Sequence, residues 1–209
     1  MATAKPARHA KRKRKKPTAD GILHAAERVF AEQGYGATSL RELMTAAKVS
    51  TTAFYARFPS KEAVLDELIR GLVESLSKTV LEAAARARDV ESGLGVGAEV
   101  LVESLLPHKN LVRLFFTEST TSATSKEVVR SLHVQLAALL GARLVKLREK
   151  GAVQTTDPSA LGWALLGAME LQLIRWAVLG DLADSALGAA LRATAFAVLP
   201  GAAAPKPAA

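Results

Sequence analysis

The chain contains no cysteine, which excludes a disulfide framework and a thiolate metal site. It has no glycine-rich phosphate loop, no Ser/His/Asp set in a recognisable motif and no His/Asp/Glu cluster at metal-ligand spacing. Glu118 and Glu127 flank a polar loop and make a poor acid–base pair. We therefore expect no catalysis, no cofactor and no metal. A long apolar run free of charge is also missing. The longest, 161–179, carries Glu170, Gln172 and Arg175 near its centre, and each charge there costs about 2.5–3.5 kcal/mol on membrane-insertion scales. A buried helix in a soluble protein is the better reading, with no membrane partner. No apolar segment follows the basic N-terminus, so a cytoplasmic, nucleoid-associated protein is expected. No strand pattern or internal repeat stands out, and helical periodicity runs through most of the 209 residues, which points to an all-α fold.

What is present is unevenly placed. Residues 1–17 hold Lys5, Arg8, Lys11, Arg12, Lys13, Arg14, Lys15 and Lys16 and no acid. These eight charges equal the net charge of +8, leaving 20 of the 28 basic residues against 20 acidic ones. The basicity is a tail on a neutral body. Such a run cannot pack a core and is expected to be disordered when free. A solubilising tail is the plainer reading. A tail that enters a minor groove or tracks phosphates is preferred, because it leads into a DNA-reading motif.

That motif spans 38–62, TSLRELMTAAKVSTTAFYARFPSKE. Ser39 with Glu42 three residues on forms a capping box. Leu40, Leu43, Met44 and Ala47 then recur on one helical face. Ser50 can cap a second, short helix carrying Thr51, Thr52, Phe54, Tyr55 and Phe58. Pro59 ends it, and Ser60 can cap a third with Glu62 in its first turn. Two short helices joined by a tight turn, the second rich in hydroxyls and flanked by bases, form a helix-turn-helix pattern.

Residues 22–68 resemble the DNA-binding domain of TetR-family transcriptional regulators. Ile22-Leu23-His24-Ala25-Ala26 through Phe30, then Gly34-Tyr35, match that family's first helix and turn. Ser39-Leu40-Arg41-Glu42-Leu43 match the second helix. Val49-Ser50, Phe54-Tyr55, Phe58, Ser60-Lys61-Glu62 and Leu65 match the recognition helix and the start of the fourth. Lys48 departs from the pattern, standing where the family often has glycine; a left-handed conformation there costs about 1 kcal/mol. The resemblance implies an N-terminal three-helix DNA-binding domain, a C-terminal helical effector-binding and dimerisation domain, a palindromic double-stranded operator, a small-molecule effector and a homodimer. The divisions expected are 1–17 tail, 18–66 reader, 67–200 effector and dimerisation domain, and 201–209 tail. DNA-facing candidates are Thr38, Ser39, Arg41, Ser50, Thr51, Thr52, Tyr55, Arg57 and Lys61, with Lys11, Arg12, Lys13, Arg14, Lys15 and Lys16 of the tail. The resemblance gives Tyr55 a phosphate contact and places Lys61 near the DNA backbone.

Beyond the motif we expect helices at 18–33 with Gly34 as C-cap, 61–88, a stretch after a break at Gly93, Gly95 and Gly97 up to Pro107, and 108–118. After a polar loop at 119–125, a Thr124–Glu127 capping box opens a helix to Lys150 that Gly151 ends. Asp157 and Pro158 open a helix to about Leu179, and a last one covers 184–199. In 158–179, Trp163, Gly167, Glu170 and Ile174 share one side and Leu161, Leu165, Ala168, Gln172, Trp176 and Leu179 the other. Both are largely apolar, so both need cover. A central position and a partner subunit both satisfy that, and paired half-sites favour the dimer. The resemblance also implies an effector pocket, with Phe115, Phe116, Trp163, Met169, Glu170, Leu173 and Trp176 as candidate lining. Gln172, Arg175, His108 and His133 are further polar candidates, His133 reading more simply as an ordinary, partly exposed histidine. The resulting expectation is a repressor released by an apolar or amphipathic effector. The alternatives are a non-specific architectural nucleic-acid binder acting through the tail, and a small-molecule carrier with a vestigial reader.

Overall fold

The computed structural model describes residues 18–86 and 90–199, all helices, turns and loops among those residues. Helix α1 is Ala19–Gln33. Thr18 caps it by accepting from the Gly21 amide at 3.2 Å, and Gly34 ends it at φ 85°. Its Ile22, Ala25, Ala26, Val29 and Phe30 recur at helical spacing and are buried. Helices α2 (Leu40–Ala46) and α3 (Thr51–Tyr55) follow, then α4 (Lys61–Arg86) and α5 (Val90–Leu105). A 3-10 turn at Leu106–His108 carries Pro107 into α6 (Lys109–Glu118). Then come α7 (Ala123–Glu149), α8 (Pro158–Ile174), a wide π turn (Arg175–Leu179), a 3-10 turn (Asp184–Ala186) and α9 (Leu187–Val198).

Two helix starts differ from expectation. Helix α5 runs through Gly93, Gly95 and Gly97 instead of breaking there. Glycine is unfavourable in a helix by roughly 1 kcal/mol each, and packing of α5 against α4 and α9 overrides it. Helix α7 begins earlier than the expected capping box. Ser122, not Thr124, is the cap, accepting from the Ser125 amide at 2.9 Å. Its own hydroxyl donates to Asp66 of α4 at 2.6 Å, and the buried Ser125 hydroxyl donates to the same carboxylate. The Asp157–Pro158 start of α8 is as expected, with Asp157 accepting from the Ser159 and Ala160 amides at 3.0 Å.

One contiguous apolar cluster runs from Ile22, Phe30, Leu43 and Phe54 through Leu65 and Leu72 to Phe115, Trp176 and Leu191. The division expected at residues 66–67 falls inside α4, whose Val64, Leu65, Leu68, Ile69 and Leu72 all belong to this cluster. A second cluster, Leu144, Leu147, Val153, Leu165, Ala195 and Leu199, closes the far end.

Helices α7 and α8 are antiparallel and close. A Cβ on Gly162 would lie 3.0 Å from the Ala137 carbonyl oxygen and 3.0 Å from the Gly141 amide nitrogen, so any other residue would push the two backbones apart by a few tenths of an ångström. By length and composition α7 is apolar enough to cross a membrane; in this fold it packs on α4 and α8. The two sides of α8 are not equally covered. Gly162, Leu165, Leu166 and Trp176 are buried, whereas Ala160, Trp163, Ala164, Gly167 and Leu171 form an exposed stripe. Leu179, expected beside Leu165 and Trp176, is 63% exposed. The wide turn from Arg175 rotates it out of the straight-helix register.

Candidate nucleic-acid interface

The helix-turn-helix is assembled from local groups. Ser39 accepts from the Glu42 amide at 3.2 Å, while the Glu42 carboxylate accepts from the Ser39 amide at 2.8 Å and its hydroxyl at 2.6 Å. Those two donors hold the Glu42 carboxyl below its ordinary pKa. Helix α2 ends in a Schellman motif: the Lys48 amide donates to Thr45 and the Val49 amide to Met44, both at 3.1 Å. Lys48 takes φ 55° to close it. Ser50 then caps α3 through the Ala53 amide at 3.2 Å. Phe54 and Phe58 turn inward with ring centroids 6.2 Å apart.

What remains outside is a polar strip. Ser39, Arg41, Ser50, Thr51, Thr52, Tyr55 and Arg57 are all exposed, Tyr55 by 51%. Ser39 and Ser50 already serve as caps, which leaves Arg41, Thr51, Thr52, Tyr55 and Arg57 to face a partner. Two expected members point elsewhere. Thr38 is buried and its hydroxyl donates to the Gly34 carbonyl at 2.8 Å. The Lys61 ammonium donates to the carbonyls of Tyr35 at 2.7 Å and Thr38 at 2.8 Å, 4.3 Å from the Tyr35 ring centre. It pins the start of α4 to the α1–α2 turn, so two of its three N–H groups are already used. The Tyr35 hydroxyl beneath is buried beside the Glu62 carboxylate, without a hydrogen bond of good geometry. Burial and the nearby Glu62 carboxylate push its pKa up to about 12. Lys11, Arg12, Lys13, Arg14, Lys15 and Lys16 lie outside the described residues. Exposed Thr45 and Lys48, on the same two-helix unit, were not among the expected contacts. The sequence marks Lys48 by the backbone its turn requires and not by its charge.

The candidate effector residues lie where α6, α7 and α8 meet, with one exception. Phe115 is buried and Phe116 half-buried, their rings edge to face at 5.1 Å. Met169 and Leu173 are half-buried against the same cluster. Glu170 pairs with His133, whose Nε2 lies 2.7 Å from its carboxylate. His133 Nδ1 is 2.7 Å from the Val129 carbonyl, and its ring is roughly parallel to Phe115 at 6.4 Å. It is partly exposed, as expected, and it is also tied into this contact. Its pKa is raised, chiefly by the Glu170 hydrogen bond, against the opposing pull of burial. Trp176 is fully buried and donates from Nε1 to Asp184 at 2.7 Å, as does Lys109 at 2.8 Å. Trp163, 46% exposed, stands on the open side of α8, apart from the rest. Gln172 accepts from Arg175 at 3.1 Å, Arg175 also pairs with Asp181, and His108 is exposed.

Residues 22–68 match the family model described as bacterial regulatory proteins, tetR family. The chain is 34% identical over 73 residues to the HTH-type transcriptional repressor KstR2 of Rhodococcus jostii, covering 35% of this chain and 36% of that protein. It thus spans about a third of that curated relative's length. The structure is similar to that of the TetR-family regulator PfmR of Thermus thermophilus, at 25% identity and TM-score 0.74, covering 90% of this chain and 98% of that one. It also resembles FadR of Bacillus subtilis, solved with stearoyl-CoA, at 17% identity and TM-score 0.73, covering 88% and 99%.

Proposed function

Because this chain belongs to the TetR family of bacterial regulatory proteins, we propose that it is a sequence-specific transcriptional repressor that binds a palindromic operator as a homodimer and leaves it when a small apolar or amphipathic molecule binds. The observation that carries the reading is the exposed strip Arg41, Thr51, Thr52, Tyr55 and Arg57 on two capped helices over a rigid core. Thr51 and Thr52 lie at the N-terminal end of α3, the part of a recognition helix that meets base edges. Their hydroxyls accept or donate singly, and their methyls suit thymine. Tyr55 and Arg57 are suited to phosphates. In this reading residues 18–66 read DNA, 67–200 bind the effector and dimerise, and the cytoplasmic nucleoid is the site of action.

The dimer reading draws on the uncovered stripe of α8, Ala160, Trp163, Ala164, Gly167 and Leu171, and on exposed Ala189, Ala193 and Ala197 of α9, which packs on α8. Small residues on both helices permit close approach by the same face of a second copy, as an isologous interface requires. The effector reading draws on the aromatic and aliphatic seam around Phe115, Phe116, Met169 and Leu173, with the His133–Glu170 pair as its polar feature. The stearoyl-CoA carried by the similarly folded FadR supports an amphipathic acyl compound as the class to try first. Helix α4 spans 26 residues, about 39 Å at 1.5 Å per residue. A tilt at its effector end moves the reader at the other, and in a dimer alters the spacing of about 34–36 Å that two major-groove sites demand. The effector shifts this balance only by its differential affinity for the two forms.

Selection of duplexes from a random library by the purified protein tests the reading. A palindromic site preferred by roughly 10³-fold or more over random DNA is expected. Binding without sequence preference contradicts it and favours an architectural role for the basic tail.

A further inference from the structure

Lys48 is the non-glycine residue with positive φ among those described, at 55°. It is exposed, and no carboxylate among the described residues pairs with it. It stands at the end of α2 and two residues before Ser50, the cap of α3. The turn needs only a left-handed backbone at this position, supplied by the Lys48→Thr45 and Val49→Met44 amide bonds. Glycine would adopt it without the Cβ penalty. The turn therefore gains nothing from the lysine, and a strained residue on an otherwise locally satisfied motif points to a role for its side chain.

Three roles compete for that side chain. An ion pair within the described residues is absent. Charge complementarity with the carbonyl end of α2 is a weak effect at an exposed terminus and falls off within the last turn. The third role is an external anion. Lys48 shares its short segment with Ser50, Thr51 and Thr52, the residues that face outward at the start of α3. If α3 lies in a major groove, Lys48 stands at the groove wall, where phosphates run. A compact point charge on a flexible stem suits a phosphate oxygen and lacks the fork that reads guanine.

We propose that Lys48 is a DNA-backbone contact of the helix-turn-helix, its ammonium neutralising one phosphate beside the N-terminal end of α3 in each protomer. The proposal rests on the reading of α3 as a DNA-reading helix. It adds a positioning charge in the turn, where the expected contacts had none, and ties that charge to a backbone conformation held at a cost in fold stability.

The test compares wild type with Lys48→Gly, Lys48→Asn and Lys48→Arg. Glycine and asparagine both accept positive φ and carry no charge. The probes are a duplex selected by the wild type and an unrelated duplex of equal length. Lys48→Gly and Lys48→Asn should melt at or above the wild-type temperature and bind both duplexes more weakly, by similar factors. The slope of log affinity against log salt should fall by about one unit per protomer, and Lys48→Arg should keep the wild-type slope. A wild-type slope in the glycine and asparagine variants overturns the proposal. So does a lower melting temperature in Lys48→Gly with unchanged DNA binding, which would make the lysine a stabiliser of the turn. If the wild type selects no preferred duplex, the functional reading fails by itself, and the slopes on the unrelated duplex still decide whether Lys48 meets phosphate.

Discussion

In the α1–α3 region each short helix is closed by groups from its own stretch of sequence. Ser39 and Glu42 cap each other, Lys48 and Val49 close α2, and Ser50 opens α3. Helices of seven and five residues are far below the length at which isolated helices hold, so these caps and the Phe30–Leu43–Phe54 core beneath decide whether they exist. In the α6–α9 region the helices are longer than α2 and α3 and are fixed largely by partners on other elements: Asp66 on Ser122 and Ser125, His133 on Glu170, Gly162 against Ala137, Asp184 on Trp176 and Lys109. The reader is a rigid presentation device whose outward side is polar. The second region carries an apolar stripe outward and its few polar pairs along its seams. The difference suits the two tasks proposed, one holding a surface constant and the other able to change.

The largest effect should come from emptying the reader's core. Phe30 is 1% exposed and edge to face with Tyr35 at 5.2 Å. Phe30→Ala should cost about 3–5 kcal/mol, measured by urea unfolding, and abolish DNA binding with it. The next effect tests the seam. Gly162→Ala forces a Cβ against two backbone atoms at 3.0 Å and should cost about 1–3 kcal/mol. Gly71→Ala, where nothing lies within 4 Å, should instead stabilise by about 0.4–1 kcal/mol. Equal effects at the two glycines would show that the α7–α8 approach is not tight.

A smaller effect sharpens the local side. Ser50→Ala removes the α3 cap and should cost about 1 kcal/mol in thermal unfolding, with DNA affinity falling because the short helix frays. The smallest concerns His133. Its folded pKa is raised above the ordinary 6.5 by Glu170, so its contribution to stability is complete below about 6.5 and lost as pH rises through the folded value. The stability gap between wild type and His133→Gln should therefore shrink with rising pH. A gap that widens with pH would reverse the assignment of charge to this pair.

The same division explains what the sequence made legible. The capping box at Ser39, the Ser50 cap, the strain at Lys48, Gly34 and the Asp157–Pro158 start all depend on residues within a few positions of one another, and pattern reading located them. The start of α7 was placed two residues late because its cap is reinforced by Asp66, which is 56 residues before Ser122. His133 and Glu170 meet across two helices, so periodicity places Glu170 on a face of α8 but does not pair it. Thr38 and Lys61 fit a DNA-facing motif by position, yet tertiary contacts turned one inward and tied the other to carbonyls. Leu179 left its expected side because a π turn changed the register, which hydrophobic spacing does not announce. Propensity alone predicts a break at the glycines of α5, and packing on α4 and α9 overrules it.

The central claim is that α3 reads sequence, and Thr52 tests it most directly. The Thr52 side chain is exposed and caps no helix; its backbone carbonyl accepts from the Ala56 amide, a bond that alanine keeps. Binding of wild type and Thr52→Ala should be titrated on the duplex the wild type selects and on a random duplex at the same salt concentration. The account predicts a loss of about 1–3 kcal/mol on the selected duplex and almost none on the random one. Equal losses on both duplexes, or no loss on either, would contradict it.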